Sequence, residues 1–290
     1  MNPSVFTGLM ALAVSWLASS ASAEMMLWFK PIAASDPTTV LNNTSWDVGA
    51  TGAAPSVDIN TIPTTPQTIT FQLFASIHGT NTTVTDDTLG SATFDLLNFT
   101  VPGRAGLSGV PSLVALEAGV SQIGACPGVL ASTDLTGDTL QDIGGPRDTV
   151  GVPSGAGPYI RPYNIRGRYG SGATASTADP TWTNLPIGMF TYTYGGLTNE
   201  GQPLIARGEA AQLQTLPINF PGAQLQNFMA IWRQDGVSKV DYSGYAGSNV
   251  LAGPAVVIQV AVPEPSTFAL FAVAVIGLVA RARRRRTGPV

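Results

Sequence analysis

Polar and apolar residues exchange with a period near two in several stretches of the chain. Thr68-Ile69-Thr70-Phe71-Gln72-Leu73-Phe74 and Phe190-Thr191-Tyr192-Thr193-Tyr194 show it most plainly. Successive side chains of a strand face opposite sides, so this pattern predicts strands with one buried and one open face. The same reading, helped by β-branched and aromatic residues, predicts strands over Met26–Lys30, Val57–Ile62, Thr68–Ile77, Ala92–Thr100, Ile187–Tyr194, Gln224–Trp232 and Ala255–Val262. Turn clusters such as Gly79-Thr80-Asn81 and Gly195-Gly196 separate them. Ser112–Ser121 (SLVALEAGVS) reads as one short helix. Many short strands joined by Gly/Pro turns predict an all-β body, a β-sandwich or a jelly roll.

The alternation lapses over 130–179, where Gly, Pro, Ser and Asp dominate. Such a stretch is long for a connection inside one domain and reads as an excursion from a single sandwich spanning 24–261. The strands before it are too few to close a core alone. No repeat of 20–50 residues is visible, which argues against propellers and solenoids.

Two apolar runs interrupt the pattern at the ends. Val5–Leu17 (VFTGLMALAVSWL) is followed by small residues ending Ala21-Ser22-Ala23. That combination predicts a signal peptide over 1–23, cut by signal peptidase before Glu24. Its first residues carry no Lys or Arg. At the other end, Val262-Pro263-Glu264-Pro265-Ser266-Thr267 precedes the apolar run Phe268–Ala280 and the arginines 281, 283, 284, 285 and 286. Thirteen helical residues rise about 20 Å, short of a bilayer core of roughly 30 Å, so the span suits a temporary anchor. The positive-inside rule keeps Arg281, Arg283, Arg284, Arg285 and Arg286 cytoplasmic and, with a leader in front, turns the body outward.

This tail, 262–290, resembles the PEP-CTERM sorting signal of exosortase substrates. Pro263, Glu264 and Pro265 match its motif, 268–280 its transmembrane helix, and the arginine cluster its membrane stop. The resemblance implies an exported bacterial precursor anchored in the inner membrane and recognised by an exosortase-type enzyme. It further implies removal of the tail and delivery to the cell surface or extracellular matrix. It assigns nothing to the body.

Charge removes one class of function. With the five terminal arginines set aside, nine basic residues face 17 acidic ones across 24–261. A net-acidic body is unsuited to a phosphate backbone, so nucleic-acid binding is not expected. Only 11% of residues are charged and 44% are hydrophobic, which argues against wholesale disorder. Cys126 stands alone, so no intrachain disulfide supports the fold.

Two segments within the excursion carry candidate chemistry. Asp134, Thr136, Asp138 and Asp142 occupy positions 1, 3, 5 and 9 of a stretch resembling the calcium loops of dockerin-like modules. Thr139 replaces the turn glycine and Gly145 the final glutamate, so the expectation divides between calcium and a solvated acidic turn. Tyr159, Tyr163 and Tyr169 alternate with Arg161, Arg166 and Arg168. They could stack on sugar rings of an extracellular polysaccharide, or balance the aspartates as a surface strand.

Catalytic signatures are missing: His78 is the only histidine, and no zincin, nucleophile-elbow or P-loop motif occurs. No cofactor is required by anything in the sequence. The expectation is a non-catalytic structural or adhesive surface protein, with a carbohydrate-binding or polysaccharide-active protein as the alternative.

Overall fold

The computed structural model describes residues 25–118, 120–122, 132–133, 138–143, 159–162, 172–217, 230–241 and 250–262. Its strands in the first half are β1 (Met25–Ala34), β2 (Val40–Asn42), β3 (Ser56–Ile59), β4 (Pro66–His78), β5 (Thr88–Thr100), β6 (Gly109–Leu116) and β7 (Val120–Gln122). Four short ones follow: β8 (Ser132–Thr133), β9 (Asp142–Ile143), β10 (Tyr159–Pro162) and β11 (Thr174–Ala175). The last six are β12 (Trp182–Gly195), β13 (Ala210–Pro217), β14 (Ala230–Gln234), β15 (Val237–Asp241), β16 (Val250–Ala252) and β17 (Val256–Val260).

They form two sheets. One runs β11-β12-β4-β1-β16, with β6 also on β12. The other runs β15-β14-β5-β13-β17-β3-β2 and takes in β7 to β10 around β5. Strands on either side of the 130–179 stretch meet in the first sheet, where β12 pairs with β4 from Trp182↔His78 to Gly195↔Pro66.

Alternation decides which faces meet. In β4, Ile69, Phe71, Leu73, Ala75 and Ile77 are buried in the shared core, while Thr68, Thr70 and Gln72 face outward. The second sheet answers with Leu89, Leu96, Leu213, Trp232 and Ile258. Phe29 packs edge-on against Phe71 and Phe190, with ring centroids 6.4 and 6.1 Å apart, the arrangement that ring quadrupoles favour. The body is an all-β sandwich around one core.

Pro31 and Pro186 lie inside central strands, where a missing N–H would leave a gap in the ladder. Each sits at a register shift, between Pro31 and Ala33 and between Pro186 and Gly188. A bulge lets the strand step past the residue that cannot donate.

Ser112–Ser121 is not a helix. Gly109–Leu116 is an edge strand, paired with β12 from Tyr194↔Gly109 to Gly188↔Leu116. Leu113 meets the core while Val110 and Val114 stay exposed. The long edge of β12 offers partners that override a modest helical preference.

Candidate functional site

The body ends where its last core strand ends. Val256, Ile258 and Val260 of β17 are fully buried. The strand then closes onto two neighbours: Ala261 N–H donates to Ile59 O at 2.9 Å, and Gly208 N–H donates to Val260 O at 3.1 Å. Arg207 Nη1 donates to Ala261 O at 3.2 Å. One residue further on, Val262 is 59% exposed. Pro263, Glu264, Pro265, the apolar run and the five arginines lie outside the described residues. Among the described residues, no helix is long and apolar enough to cross a membrane.

The acidic loop is brought against β5. The middle of that strand is flanked on both sides, with Leu96 paired to Thr215 and to Ile143. Past the Leu96–Ile143 pair, two carboxylates take over as acceptors. Asp142 Oδ1 accepts from Asn98 N–H at 2.7 Å, and Asp138 Oδ2 accepts from Thr100 N–H at 2.7 Å. Residues 96, 98 and 100 turn their N–H groups to the same edge, so the carboxylates of Asp142 and Asp138 serve successive N–H groups there in place of a partner backbone. Asp142 is fully buried, and Asp138 Oδ1 also accepts from Leu140 N–H at 3.0 Å. Thr139, between them, has a φ of 73°, a conformation more usual for glycine. Asp134 and Thr136 lie outside the described residues, so two members of the proposed calcium set are placed and two are not.

Of the tyrosines, Tyr159 opens β10, opposite Thr93 of β5, while Tyr163 and Tyr169 lie outside the described residues. The tryptophans among the described residues pack inward. Trp28, Trp182 and Trp232 are buried, and Trp46 packs edge-on against Trp28 with centroids 4.9 Å apart. A polar chain fixes this packing: Trp28 Nε1 donates to Ser76 Oγ at 2.7 Å, Ser76 Oγ to Asn184 Oδ1 at 2.6 Å, and Asn184 Nδ2 to Asp47 Oδ1 at 2.6 Å. His78 stacks on Trp182 at 4.7 Å.

One cluster went unnoticed in the sequence. Asp86, Asp87 and Asp235 place ligand atoms within 4.8 Å of one another, a spacing at which oxygens can share a cation. Asp235 and Gly236 both have positive φ, 48° and 77°, and form the two-residue turn between β14 and β15. Asp235 N–H donates to Asp87 Oδ1 at 2.9 Å, and Thr183 Oγ1 donates to Asp87 Oδ2 at 2.6 Å. Burial pushes the Asp87 carboxyl above the ordinary range. The bonds from Thr183 and Asp235 oppose that shift, and the charges of Asp86 and Asp235 add to it. The Asp-Gly pair between Gln234 and Val237 was the available signal for the hairpin.

These features define an all-β body with a processing segment joined to its final strand. Residues 261–285 match the family model of the PEP-CTERM protein-sorting motif. The chain therefore carries the signal of an exported, exosortase-sorted protein, whose precursor passes through a membrane. No curated protein and no solved structure matches the chain.

Proposed function

We propose that the body is a non-catalytic structural or adhesive domain, shown at the cell surface or in the extracellular matrix after its tail is removed. One observation carries this reading. Pro263-Glu264-Pro265 of the sorting motif follow Val262, which is exposed, and β17 is already closed onto β3 and β13 before that point. A cut beyond Val262 leaves the described pairings of β17 with β3 and β13 in place, so the released body is expected to keep its fold. At the other end β1 begins at Met25, so cleavage before Glu24 leaves that strand whole.

Of Trp46, Trp182 and Trp232, the tryptophans that could have stacked on sugars, the last two are buried and Trp46 is half-buried against Trp28. This supports the structural role over the polysaccharide alternative, because sugar stacking needs open ring faces. Calcium belongs to the proposal as an accessory ion of the loop that carries Asp134, Thr136, Asp138 and Asp142, of which Asp138 and Asp142 are brought to one edge of β5. The test is retention of the surface-extracted protein on immobilised polysaccharides. No retention is expected. Retention that soluble oligosaccharide displaces would favour the carbohydrate-binding reading.

A further inference from the structure

We infer that the end of the sandwich from which the tail leaves is a membrane-facing surface that rests on lipid headgroups before sorting. The inference depends on the reading that Phe268–Ala280 is embedded in the bilayer. It is carried by the length of the tether and by what surrounds the exit.

Six Cα steps separate Val262 from Phe268, at most about 20 Å of extended chain. The headgroup layer occupies roughly 5–8 Å of that distance. With the apolar run embedded, the exit end of the body cannot stand far from the surface.

That end is built by loops joined through the backbone. Gly196 N–H donates to Pro63 O, Leu204 N–H to Gly196 O, and Gly208 N–H to Val260 O. Leu197 forms a bridge with Pro203, which sets it beside Leu204. Leu197, Leu204 and Val262 are 45%, 48% and 59% exposed, although apolar side chains of this size could have been taken into the core. Two exposed arginines are fixed at the same exit: Arg104 Nε donates to Gly208 O at 2.8 Å, and Arg207 Nη1 to Ala261 O. Apolar tips and arginines at one end of the body suit the headgroup boundary, where leucines would meet acyl chains and guanidiniums phosphates. Asp36 and Glu200 lie at this end too, so attraction to anionic lipid is small and the apolar contacts supply most of the affinity.

The opposite end gives a control position. Strand β12 runs the length of the body, from Trp182 opposite His78 to Gly195 opposite Pro66. Its 14 residues set the two ends roughly 40 Å apart. Thr80, held by Asp235 at the far end, is exposed and should stay clear of lipid.

The test uses the full-length precursor in phosphatidylcholine–phosphatidylglycerol vesicles containing brominated lipid. In a Cys126→Ser background, a fluorophore is attached at Leu204→Cys, Leu197→Cys or Thr80→Cys. Two positions at the exit guard against one substitution disturbing the loop. Quenching several-fold stronger at both exit positions than at Thr80→Cys is expected. Equal, weak quenching at all three in protein that floats with the vesicles would overturn the membrane-facing surface and leave the embedded tail standing. Failure to float would overturn both.

Discussion

Asp87 is 3% exposed and sits between two other carboxylates, so its charge is costly in the folded state. Its raised pKa means the native protein holds a proton that the unfolded chain, titrating near 3.8, gives up sooner. Stability from this group is therefore full below the unfolded value and is lost as pH rises through the folded one. Asp87→Asn keeps an oxygen for Asp235 N–H and can turn its amide toward Thr183 Oγ1. In chelator, the variant and the parent should melt together near pH 3 and diverge toward neutrality, with Asp87→Asn the more stable. Parallel melting curves across that range would contradict the assignment. A second residue-scale test concerns the Trp28 chain. Ser76→Ala leaves Trp28 Nε1 buried without an acceptor, which should cost about 1–3 kcal/mol. Urea denaturation measures it, and an unchanged midpoint would mean the chain contributes nothing.

At the scale of elements, the carboxylates beside β5 change what the acidic loop predicts. If Asp138 served only an ion, removing it would matter only when calcium is present. Because it accepts from Thr100 and Leu140 N–H, Asp138→Ala should lower stability by about 1–3 kcal/mol even in chelator. A loss seen only with calcium would show that the strand-edge bonds are weak. Strands with a clean period of two were legible, β4 and β12 above all, because one face of each meets the core. β13 was not predicted: Ala210-Ala211-Gln212-Leu213 alternates weakly, and its place beside β5 comes from tertiary pairing. β6 was misread as helix because Leu, Ala and Glu favour helix locally, while pairing with β12 is invisible in sequence. The β14–β15 hairpin was legible in part through Asp235-Gly236. The carboxylate cluster was not, since it joins residues about 150 positions apart that only the packing of β5 against β14 brings together.

At the scale of the molecule, the two ends of the body have different surroundings. Asp86, Asp87 and the β14–β15 turn gather at one end, while Arg104, Arg207, Asp36, Glu200 and the exit of the tail lie at the other. The course of β12 sets these ends apart, and in the membrane-facing reading it gives a tethered body one face toward the membrane and one toward the medium. The sorting tail was legible from its three parts in order. The role of the body was not, because a closed core declares how a protein is held together and leaves its partners to surface loops.

Release of the body requires processing beyond β17. Intact-mass measurement of the protein extracted from the cell surface tests it most directly. The expected mass lacks residues 1–23 and the tail that carries Arg281, Arg283, Arg284, Arg285 and Arg286. A mature surface form that retains those arginines would contradict it.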